Sequence, residues 1–366
     1  MELSQILCEL ERIAPLGDAE SWDNVGLLAG DPAQDVSRAM LCIDYTRQVA
    51  DEAKSAGVEL VVAYHPPIFK PINRLTADGA GQLMFDAIRR GVAIFSPHTA
   101  LDVADGGTND VLADIVGLID RSALRVADIK ATQYKLVTFV PRDHIDAVAN
   151  AIFDAGAGRI GDYSRCSFRS DGTGTFLGNQ NTNPAVGQAG KMETADEIRI
   201  ETVLPIDALT PVVTALRKAH PYEEPAFDLV LLAAPPTGRG IGRVGKFKQP
   251  TDRQQIVSIL KSALRINHVL VAGPTQGLAN SVAICAGAGD DLLDDALASG
   301  AEVYITGEVR HHDALRAAEA GMTVICTLHS NSERVTMTKL ADRLTQSLPQ
   351  VAWLVSKADR DPFEIR

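Results

Sequence analysis

Short runs of apolar, largely β-branched residues alternate with amphipathic stretches along most of the chain. The apolar runs predict buried strands, and the amphipathic stretches predict helices that pack on them. Outside the middle third the two alternate as in α/β proteins with a mostly parallel or mixed sheet. The predicted strands are 39–43, 58–63, 92–96, 269–272, 282–286, 303–306, 323–328 and 352–355, and the predicted helices are 4–14, 47–56, 82–90, 109–115, 253–264, 290–299, 312–320 and 330–344.

The pattern changes near residue 133. From there the chain predicts the order β-α-loop-β-α-β, which is that of a split β-α-β or ferredoxin-like unit. Its elements are expected at 134–140, 145–155, 156–190, 198–203, 206–219 and 226–232. The sequence therefore predicts a mixed-sheet α/β metal-binding body, formed by 1–132 together with 237–366, and an inserted α+β ferredoxin-like domain at 133–236.

Polar residues with metal-binding side chains stand at the ends of five predicted strands. They are Asp44, His65, His98 with Asp102, Glu308 with His311 and His312, and His329 with Glu333. Because the carboxyl ends of parallel strands lie at one edge of a sheet, these side chains are expected to converge. Each histidine alone is also consistent with a hydrogen-bonded strand end. Four such ends in a chain with only eight histidines favour a metal site, for zinc, iron, manganese or nickel.

Glu333 allows two interpretations. Residues 330–333, Ser-Asn-Ser-Glu, have the spacing of a capping box at the start of a helix, so Glu333 would be the cap partner of Ser330. Alternatively, Glu333 and His329 point at one ion. The histidines at the neighbouring strand ends favour the second interpretation.

The composition excludes some functions. The chain of 366 residues carries a net charge of −12, which argues against nucleic-acid binding because that needs a basic face. No apolar run approaches the ~18 residues that cross a membrane, and the N-terminus lacks the features of a signal peptide. Five cysteines without C-x-x-C spacing are expected to be reduced, which indicates a cytoplasmic protein.

An acidic protein that binds an anionic substrate needs a local group of cations. Lys70 and Arg74 lie just past His65, and Arg334 follows Glu333. These three residues are candidates for binding a phosphorylated substrate if they face the metal site, and ordinary surface cations otherwise.

Six motifs in order make the chain recognisable. They are W-D-N-V-G-L (22–27), Y-H-P-P-I-F (64–69), H-T-A-L-D (98–102), G-G-T-N-D (106–110), T-G-E (306–308) and H-S-N-S-E-R (329–334). Together they resemble the family of NGG-interacting-factor-three-like proteins, often labelled type-two homologues of GTP cyclohydrolase I. The resemblance covers both flanks of the predicted insert.

The resemblance implies an α/β protein that holds a pair of divalent metals and assembles as a toroidal homohexamer, a trimer of dimers. The ligands that it implies are His65, Asp102, His329 and Glu333. Many members carry two adjacent histidines where this chain has Tyr64 and His65, and tyrosine is a poor ligand at neutral pH. One or two ions are therefore expected per chain, the second being weak, absent, or completed by His98 or water.

The insert resembles the PII- and CutA-type trimeric domain of longer bacterial members. The likeness lies in G-R-I-G-D-Y (158–163), G-T-F (174–176) and H-P-Y-E-E-P (220–225). Two interpretations remain for His220, Glu223 and Glu224. They bind a metal, or they belong to a proline-bracketed turn at a strand edge, and the turn is favoured.

The sequence thus predicts a metal-dependent hydrolase that acts on a nucleotide or another phosphorylated small molecule through a metal-activated water. His98, Glu308 and His312 are candidates for a general base by position alone. The alternative is a non-enzymatic, metal-loaded hexamer that serves as a scaffold or regulator, with the insert sensing a metabolite.

Overall fold

The computed structural model describes residues 1–127, 132–233 and 238–365. The helices are α1 (Leu3–Ile13), α2 (Arg47–Ser55), α3 (Gln82–Arg89), α4 (His98–Val103), α5 (Thr108–Ile115), α6 (Ile145–Asp154), α7 (Leu209–Ala219), α8 (Arg253–Leu264), α9 (Leu293–Ala298), α10 (His311–Glu319) and α11 (His329–Ser347). The strands are β1 (Gly26–Ala29), β2 (Arg38–Cys42), β3 (Leu60–Ala63), β4 (Ala93–Ser96), β5 (Leu118–Val126), β6 (Gln133–Pro141), β7 (Phe168–Leu177), β8 (Met192–Pro205), β9 (Phe227–Leu231), β10 (Gly240–Asp252), β11 (Leu270–Ala272), β12 (Leu278–Ala288), β13 (Val303–Glu308), β14 (Thr323–Cys326) and β15 (Ala352–Val355).

The chain divides into two compact units. The first consists of Met1–Asp128 together with Pro236–Arg366, and the second of Ile129–Pro235. The first unit contains two mixed sheets with helices, and the second contains an antiparallel sheet with two helices. The mixed α/β class predicted from the sequence is confirmed, and the first unit has two sheets where the sequence pattern suggested one body around one sheet.

The first sheet has the strand order β1-β4-β3-β2-β15. Four of its strands run parallel, and β1 pairs with β4 in the antiparallel direction. Every residue of β3 and β4 is buried, because apolar cores lie on both faces of the sheet. Burial on both faces explains why these strands are continuous apolar runs in the sequence.

The second sheet has the strand order β11-β14-β13-β12-β10-β5. Its three central strands, β12, β13 and β14, run parallel, and the others are antiparallel to their neighbours. The edge strand β5 comes from the N-terminal part of the chain, whereas β15 at the edge of the first sheet comes from the C-terminal part. This exchange of edge strands ties the two sheets into one unit.

Helix α11 contacts both sheets. Its apolar residues Met337, Leu340 and Leu344 pack in a core of the first sheet. In its first turn, Ser332 Oγ accepts a hydrogen bond of 2.8 Å from the backbone N–H of Gly287 on β12 of the second sheet. The start of α11 therefore lies where the two sheets meet. Neither α11 nor any other helix within the described residues is long and apolar enough to cross a membrane.

A buried arginine also joins the two sheets. Arg243 on β10 is 5% exposed, and its guanidinium donates hydrogen bonds of 2.7 and 2.9 Å to the carboxylate of Asp110. It also donates to the backbone oxygens of Val103 and Ala104, which follow β4 of the first sheet. Because a buried cation is stable only when its partners are in place, this contact fixes the position of the segment that carries α4 and α5.

The second unit has the strand order β7-β8-β6-β9, with all neighbours antiparallel. Helices α6 and α7 follow the first and third of these strands in chain order and pack against the sheet. The apolar core between them includes Leu136, Val140, Ile145, Val148, Ile152, Ile198, Ile200, Leu204, Val212 and Leu216.

Four strands lie where the hydrophobic pattern predicts none: β1, β5, β7 and β10. The edge strands β5 and β7 are largely exposed, and β7 falls inside the glycine-rich stretch 156–190. A strand exposed at a sheet edge lacks the apolar alternation on which strand prediction depends. The predicted loop within the second unit is therefore wrong at β7, because this strand is held by pairing with β8 along its whole length.

The two ends of the first unit that flank the second are adjacent in space. Val126 on β5 pairs with Gly240 on β10, and the backbone N–H of Ala127 donates to the oxygen of Arg239 at 2.9 Å. We expect that replacing residues 128–238 with Asn-Gly, a two-residue hairpin turn, leaves the first unit folded and able to bind metal. Circular dichroism and elemental analysis of the purified variant measure both properties.

Extending the same deletion back to Leu118 provides the control. It removes β5, whose Leu118 lies in the core of the second sheet, so this longer deletion should abolish folding. If the shorter deletion is itself unfolded or free of metal, the first unit depends on the second, and the predicted domain boundaries are wrong.

Candidate metal centre

Three side chains from the two sheets of the first unit come together at one place. His65 follows β3, His329 is the first residue of α11, and Glu333 lies one turn further along α11. One ligand atom from each residue lies within 4.8 Å of the other two. A group of two imidazoles and a carboxylate at this spacing could hold a metal ion.

The start of α11 differs from the prediction. The strand β14 ends at Cys326, and the N-terminal cap of α11 is Leu328, which has a φ of 69° and makes no side-chain capping bond. The predicted capping box does not form, because Ser330 already lies inside the helix and its Oγ donates to Asp361 Oδ2 at 2.9 Å. Glu333 is therefore free of a capping role and faces the two histidines.

Both histidines of the group are oriented by carboxylates. Nδ1 of His65 donates to Asp44 Oδ1, and Nδ1 of His329 donates to Glu308 Oε1, each at 2.9 Å. The Nε2 atoms then face Glu333, each 3.4 Å from one of its two oxygens. Histidines that ligate metals in proteins are usually held in this way, since the carboxylate fixes the tautomer and the direction of the ring.

Two polar atoms of the group lack a hydrogen-bond partner among the described residues: His65 Nε2 and Glu333 Oε2. Glu333 is only 3% exposed, and a buried carboxylate without partners is unfavourable. A divalent cation between these atoms would satisfy both. The donor set therefore fits a metal, and three protein ligands leave coordination positions free for water or substrate.

Without a metal, a proton takes the place of the cation. Burial alone would lower the pKa of His65, but the carboxylates of Asp44 and Glu333 outweigh burial and raise the pKa to about 10. At neutral pH this imidazole is therefore charged when no metal is bound. Metal binding must displace that proton, because only the neutral ring can ligate.

The backbone of β12 comes unusually close to Glu333. Gly287 has a φ of +68°, and a Cβ at this position would lie 2.6 Å from Glu333 Oε1 and 3.4 Å from His329 Nε2. Only glycine fits there, both for its left-handed conformation and for the space. No signal in the single sequence identified Gly287 as part of this site.

His98 lies next to the group but outside it. Its ring centroid is 5.3 Å from that of His65, and its Nδ1 donates to Asp23 Oδ1 at 2.8 Å. Burial alone would raise the pKa of Asp23, but its hydrogen bonds with His98 and Thr99 hold it below the usual value. His98 also has a φ of 25°, which is strained for a residue other than glycine. In the sequence, Asp23 stood out only as part of the motif at 22–27.

Asp102 is buried on α4 and contacts Tyr64. The hydroxyl of Tyr64 donates to Asp102 Oδ1, and Thr108 Oγ1 lies 3.5 Å from the same hydroxyl. Burial raises the pKa of Asp102 to about 6. Within the described residues, Asp102 does not belong to the close group of His65, His329 and Glu333. Its role as a ligand stays a prediction.

The three predicted substrate-binding cations differ in their surroundings. Lys70 and Arg74 are exposed in the segment between β3 and α3. Arg334 is engaged by the C-terminal segment, since its guanidinium pairs with Asp359 Oδ2 at 2.6 Å and donates to Ser330 Oγ at 3.2 Å. The geometry thus gives Arg334 a structural partner, and substrate binding by any of the three stays a prediction.

The other general-base candidates and the turn of the insert can also be located. Glu308 accepts the hydrogen bond from His329, whereas His312 is exposed on α10 beside His311. In the second unit, His220 Nε2 donates to the oxygen of Phe139 and His220 Nδ1 accepts from the N–H of Tyr222. Both ring nitrogens of His220 are thus satisfied, which supports the turn over the metal site.

The comparisons with known proteins agree on one family. The family model of Duf34/NIF3 (NGG1p interacting factor 3) matches residues 1–362. A relative from Mycobacterium tuberculosis, named GTP cyclohydrolase 1 type 2 homolog, is 40% identical over 317 residues, which cover 86% of this chain and 83% of the relative. A relative of the same name from Bacillus subtilis is 33% identical over 364 residues, or 98% of this chain and 97% of the relative.

Solved structures agree with this result. The crystal structure of a Bacillus cereus protein related to NIF3 is 32% identical, with a TM-score of 0.71, and the match covers 100% of this chain and 99% of that one. A Staphylococcus aureus protein is 27% identical, with a TM-score of 0.80 and the same coverage. The fold is therefore shared along the whole chain, including both units.

The group of His65, His329 and Glu333 leads to a first prediction, which concerns metal binding. We expect His329→Ala and Glu333→Gln to remove most bound metal without unfolding the protein, because each change deletes a ligand atom at a sheet edge. Asp44→Asn and Glu308→Gln, which only loosen the histidines, should weaken affinity by roughly 10- to 100-fold. Competition with a chromophoric chelator measures these affinities.

His312→Ala is the matched control, since this histidine is exposed on α10 and lies outside the group. It should keep the metal content of the unchanged protein. Unaltered metal content in a correctly folded His329→Ala variant would contradict the assignment of the group.

A second prediction concerns protons. Because His65 has a pKa of about 10 without metal, it is protonated at pH 7, and metal binding should release about one proton per chain. Affinity should therefore increase as the pH rises toward 10. Calorimetric titration in buffers with different ionisation enthalpies counts the released protons. Asp44→Asn should release fewer, and the absence of any release in the unchanged protein would contradict a protonated His65 in the metal-free state.

Proposed function

This chain belongs to the Duf34/NIF3 (NGG1p interacting factor 3) family, and we propose that it is a divalent-metal-dependent hydrolase of a nucleotide or another phosphorylated small molecule. The observation that supports the metal is the pair of buried atoms His65 Nε2 and Glu333 Oε2, which face each other without hydrogen-bond partners. Zinc, iron, manganese and nickel all suit a ligand set of imidazoles and a carboxylate.

In this proposal each residue of the centre has a distinct role. His65, His329 and Glu333 hold one ion, and Asp102 with His98 is the candidate set for a second. A divalent ion held there would supply Lewis-acid chemistry, which activates a water molecule and polarises the bond under attack. Asp44 and Glu308 keep the imidazoles in the tautomer that presents Nε2 to the ion.

Two exposed aromatic rings beside the centre favour a nucleotide. The ring of Trp22 lies 6.2 Å from that of His98 and 6.0 Å from that of Phe69. Trp22 is 59% exposed and Phe69 48%, so both rings are accessible to a ligand. A nucleobase has a planar face that stacks on such rings, and a sugar phosphate has none.

Charge near the same loop fits the phosphate of such a substrate. Lys70 follows Phe69 directly, and Arg74 lies four residues further on, both exposed. They would provide the local positive charge that an acidic protein needs to attract an anion. Arg334 is the weaker candidate, because its guanidinium is already held by Asp359.

The alternative proposal is a non-enzymatic scaffold or regulator. A metal-loaded homohexamer, built as a trimer of dimers, would carry the second unit as a sensor for a metabolite. The strand order β7-β8-β6-β9 with two helices supports a ferredoxin-like, PII- or CutA-like domain for that unit. Five free cysteines support a cytoplasmic location in either case.

Turnover of nucleotides tests the hydrolase. We expect metal-loaded protein to hydrolyse members of a panel of nucleotides and phosphodiesters, and His329→Ala to abolish turnover. Trp22→Ala should raise KM for a nucleotide substrate by about tenfold, because base stacking on an aromatic side chain contributes roughly 1–3 kcal/mol. Product release measured by chromatography gives kcat and KM for each variant.

Trp353→Phe is the control for the tryptophan change, since Trp353 is the second of the two tryptophans and lies on β15. It should leave KM unchanged. If metal-loaded protein turns over none of the panel while still binding metal stoichiometrically, the scaffold or regulator becomes the better proposal.

A further inference from the structure

The second unit contains a cavity that the metal chemistry does not use. Its volume is about 700 Å³, which is large enough for a small organic molecule. The cavity lies along β7 and the middle of β8, and it reaches the end of β6 and the turn before β9. Its walls include Phe139, Gly174, Phe176, Glu197, Arg199 and Tyr222.

Three aromatic rings line this cavity. Those of Phe176 and Tyr222 have centroids 6.5 Å apart and are tilted by 53°, and Phe139 contributes the third. The faces of aromatic rings are negatively polarised. Such walls attract cations, quaternary and alkylated ammonium groups above all.

A buried carboxylate lies on the same walls. Glu197 is 9% exposed, and Tyr222 Oη donates to its Oε1 at 2.7 Å. A carboxylate can accept about four hydrogen bonds, and no lysine or arginine of the described residues forms an ion pair with Glu197. A buried anion without a cationic partner is unfavourable, so this position is suited to a cation from outside.

The surrounding charges point the same way. Four carboxylates line the cavity, those of Asp171, Glu197, Glu223 and Glu224, against the single arginine Arg199. Arg199 is itself paired with Glu201 at 2.7 Å, outside the cavity lining. Asp171 and Glu224 are likewise paired, with Arg142 at 2.6 Å and Arg217 at 3.9 Å. Glu197 and Glu223 are the lining carboxylates without an ion pair among the described residues, so the walls carry more unpaired negative than positive charge and favour amines over phosphates.

Gly174 provides the space for this arrangement. A Cβ at Gly174 would collide with the carboxylate of Glu197, so any larger residue would push Glu197 aside. The G-T-F motif at 174–176 thus serves two purposes here: its glycine leaves room for the acid, and its phenylalanine forms a wall.

We propose that this cavity binds a small organic cation with an apolar body, in which the ammonium group lies against Glu197 and the body lies between Phe139, Phe176 and Tyr222. The site is independent of the metal centre and of the hydrolase proposed above. It selects against nucleotides and other anions, so a nucleotide-sensing role for the second unit is not the expected one.

Saturation-transfer NMR on the full-length protein tests the charge selectivity with three probes of similar size. We expect benzyltrimethylammonium to bind, and benzyl alcohol and phenyl phosphate to bind at least tenfold more weakly. Glu197→Gln keeps the shape of the side chain and its contact with Tyr222 while removing the charge, and should weaken the cation by tenfold or more. Phe176→Ala should also weaken it, by removing a wall.

Asp196→Asn is the matched control. Asp196 is the neighbour of Glu197 on β8, so its side chain points to the opposite face of the strand, and it does not line the cavity. Its affinity for the cation should be that of the unchanged protein. Equal binding of the cation and the alcohol would overturn the proposal. An equal loss of affinity for the cation in Asp196→Asn and Glu197→Gln would also overturn it. So would the absence of cation binding at a concentration 10-fold above ~1 mM.

Discussion

The contact on which the candidate metal centre of the first unit depends is that of one buried carboxylate with two imidazoles. Glu333 lies between Nε2 of His65 and Nε2 of His329, at 3.4 Å from each. A carboxylate in this position is acceptable only if positive charge, from a proton or a metal, stays beside it. Each neighbouring feature serves that requirement: Asp44 and Glu308 aim the rings, and Gly287 leaves space for the acid.

The architecture supplies the precision that this contact needs. The two histidines come from different sheets, and helix α11 sets their distance by packing in one sheet while bonding to the other. The C-terminal segment adds a further contact. Asp359 accepts a hydrogen bond from the N–H of Ile43 at 2.7 Å and forms an ion pair with Arg334 at 2.6 Å. Arg334, one residue after Glu333, thus holds the start of α11 next to the end of β2.

The two units differ in the chemistry that they offer to ligands. In the first unit, the exposed ring of Trp22 lies near His98, beside a group that could hold a metal ion. In the second unit, carboxylates and aromatic rings line a cavity, a combination that suits a cation. Under the two proposals made above, one acidic chain binds ligands of opposite charge, because local arrangement and not net charge decides what a site attracts.

The sequence by itself predicted the mixed α/β class and most of the buried elements, because buried strands carry continuous apolar runs. It also named His65, His329 and Glu333 within a larger set of candidates at strand ends. The rule that parallel strands of one sheet end at a common edge does not explain why these three meet, since His65 follows a strand of the first sheet and His329 a strand of the second. Only the tertiary structure decided the partners of these groups. Asp102 is bound by Tyr64, and His98 by Asp23, across 38 and 75 residues of chain. Local pattern carries no information about contacts at such separations. For the same reason the exposed edge strands β5 and β7 left no trace in the pattern: what holds them is pairing with a distant neighbour, and their own residues bury little apolar surface.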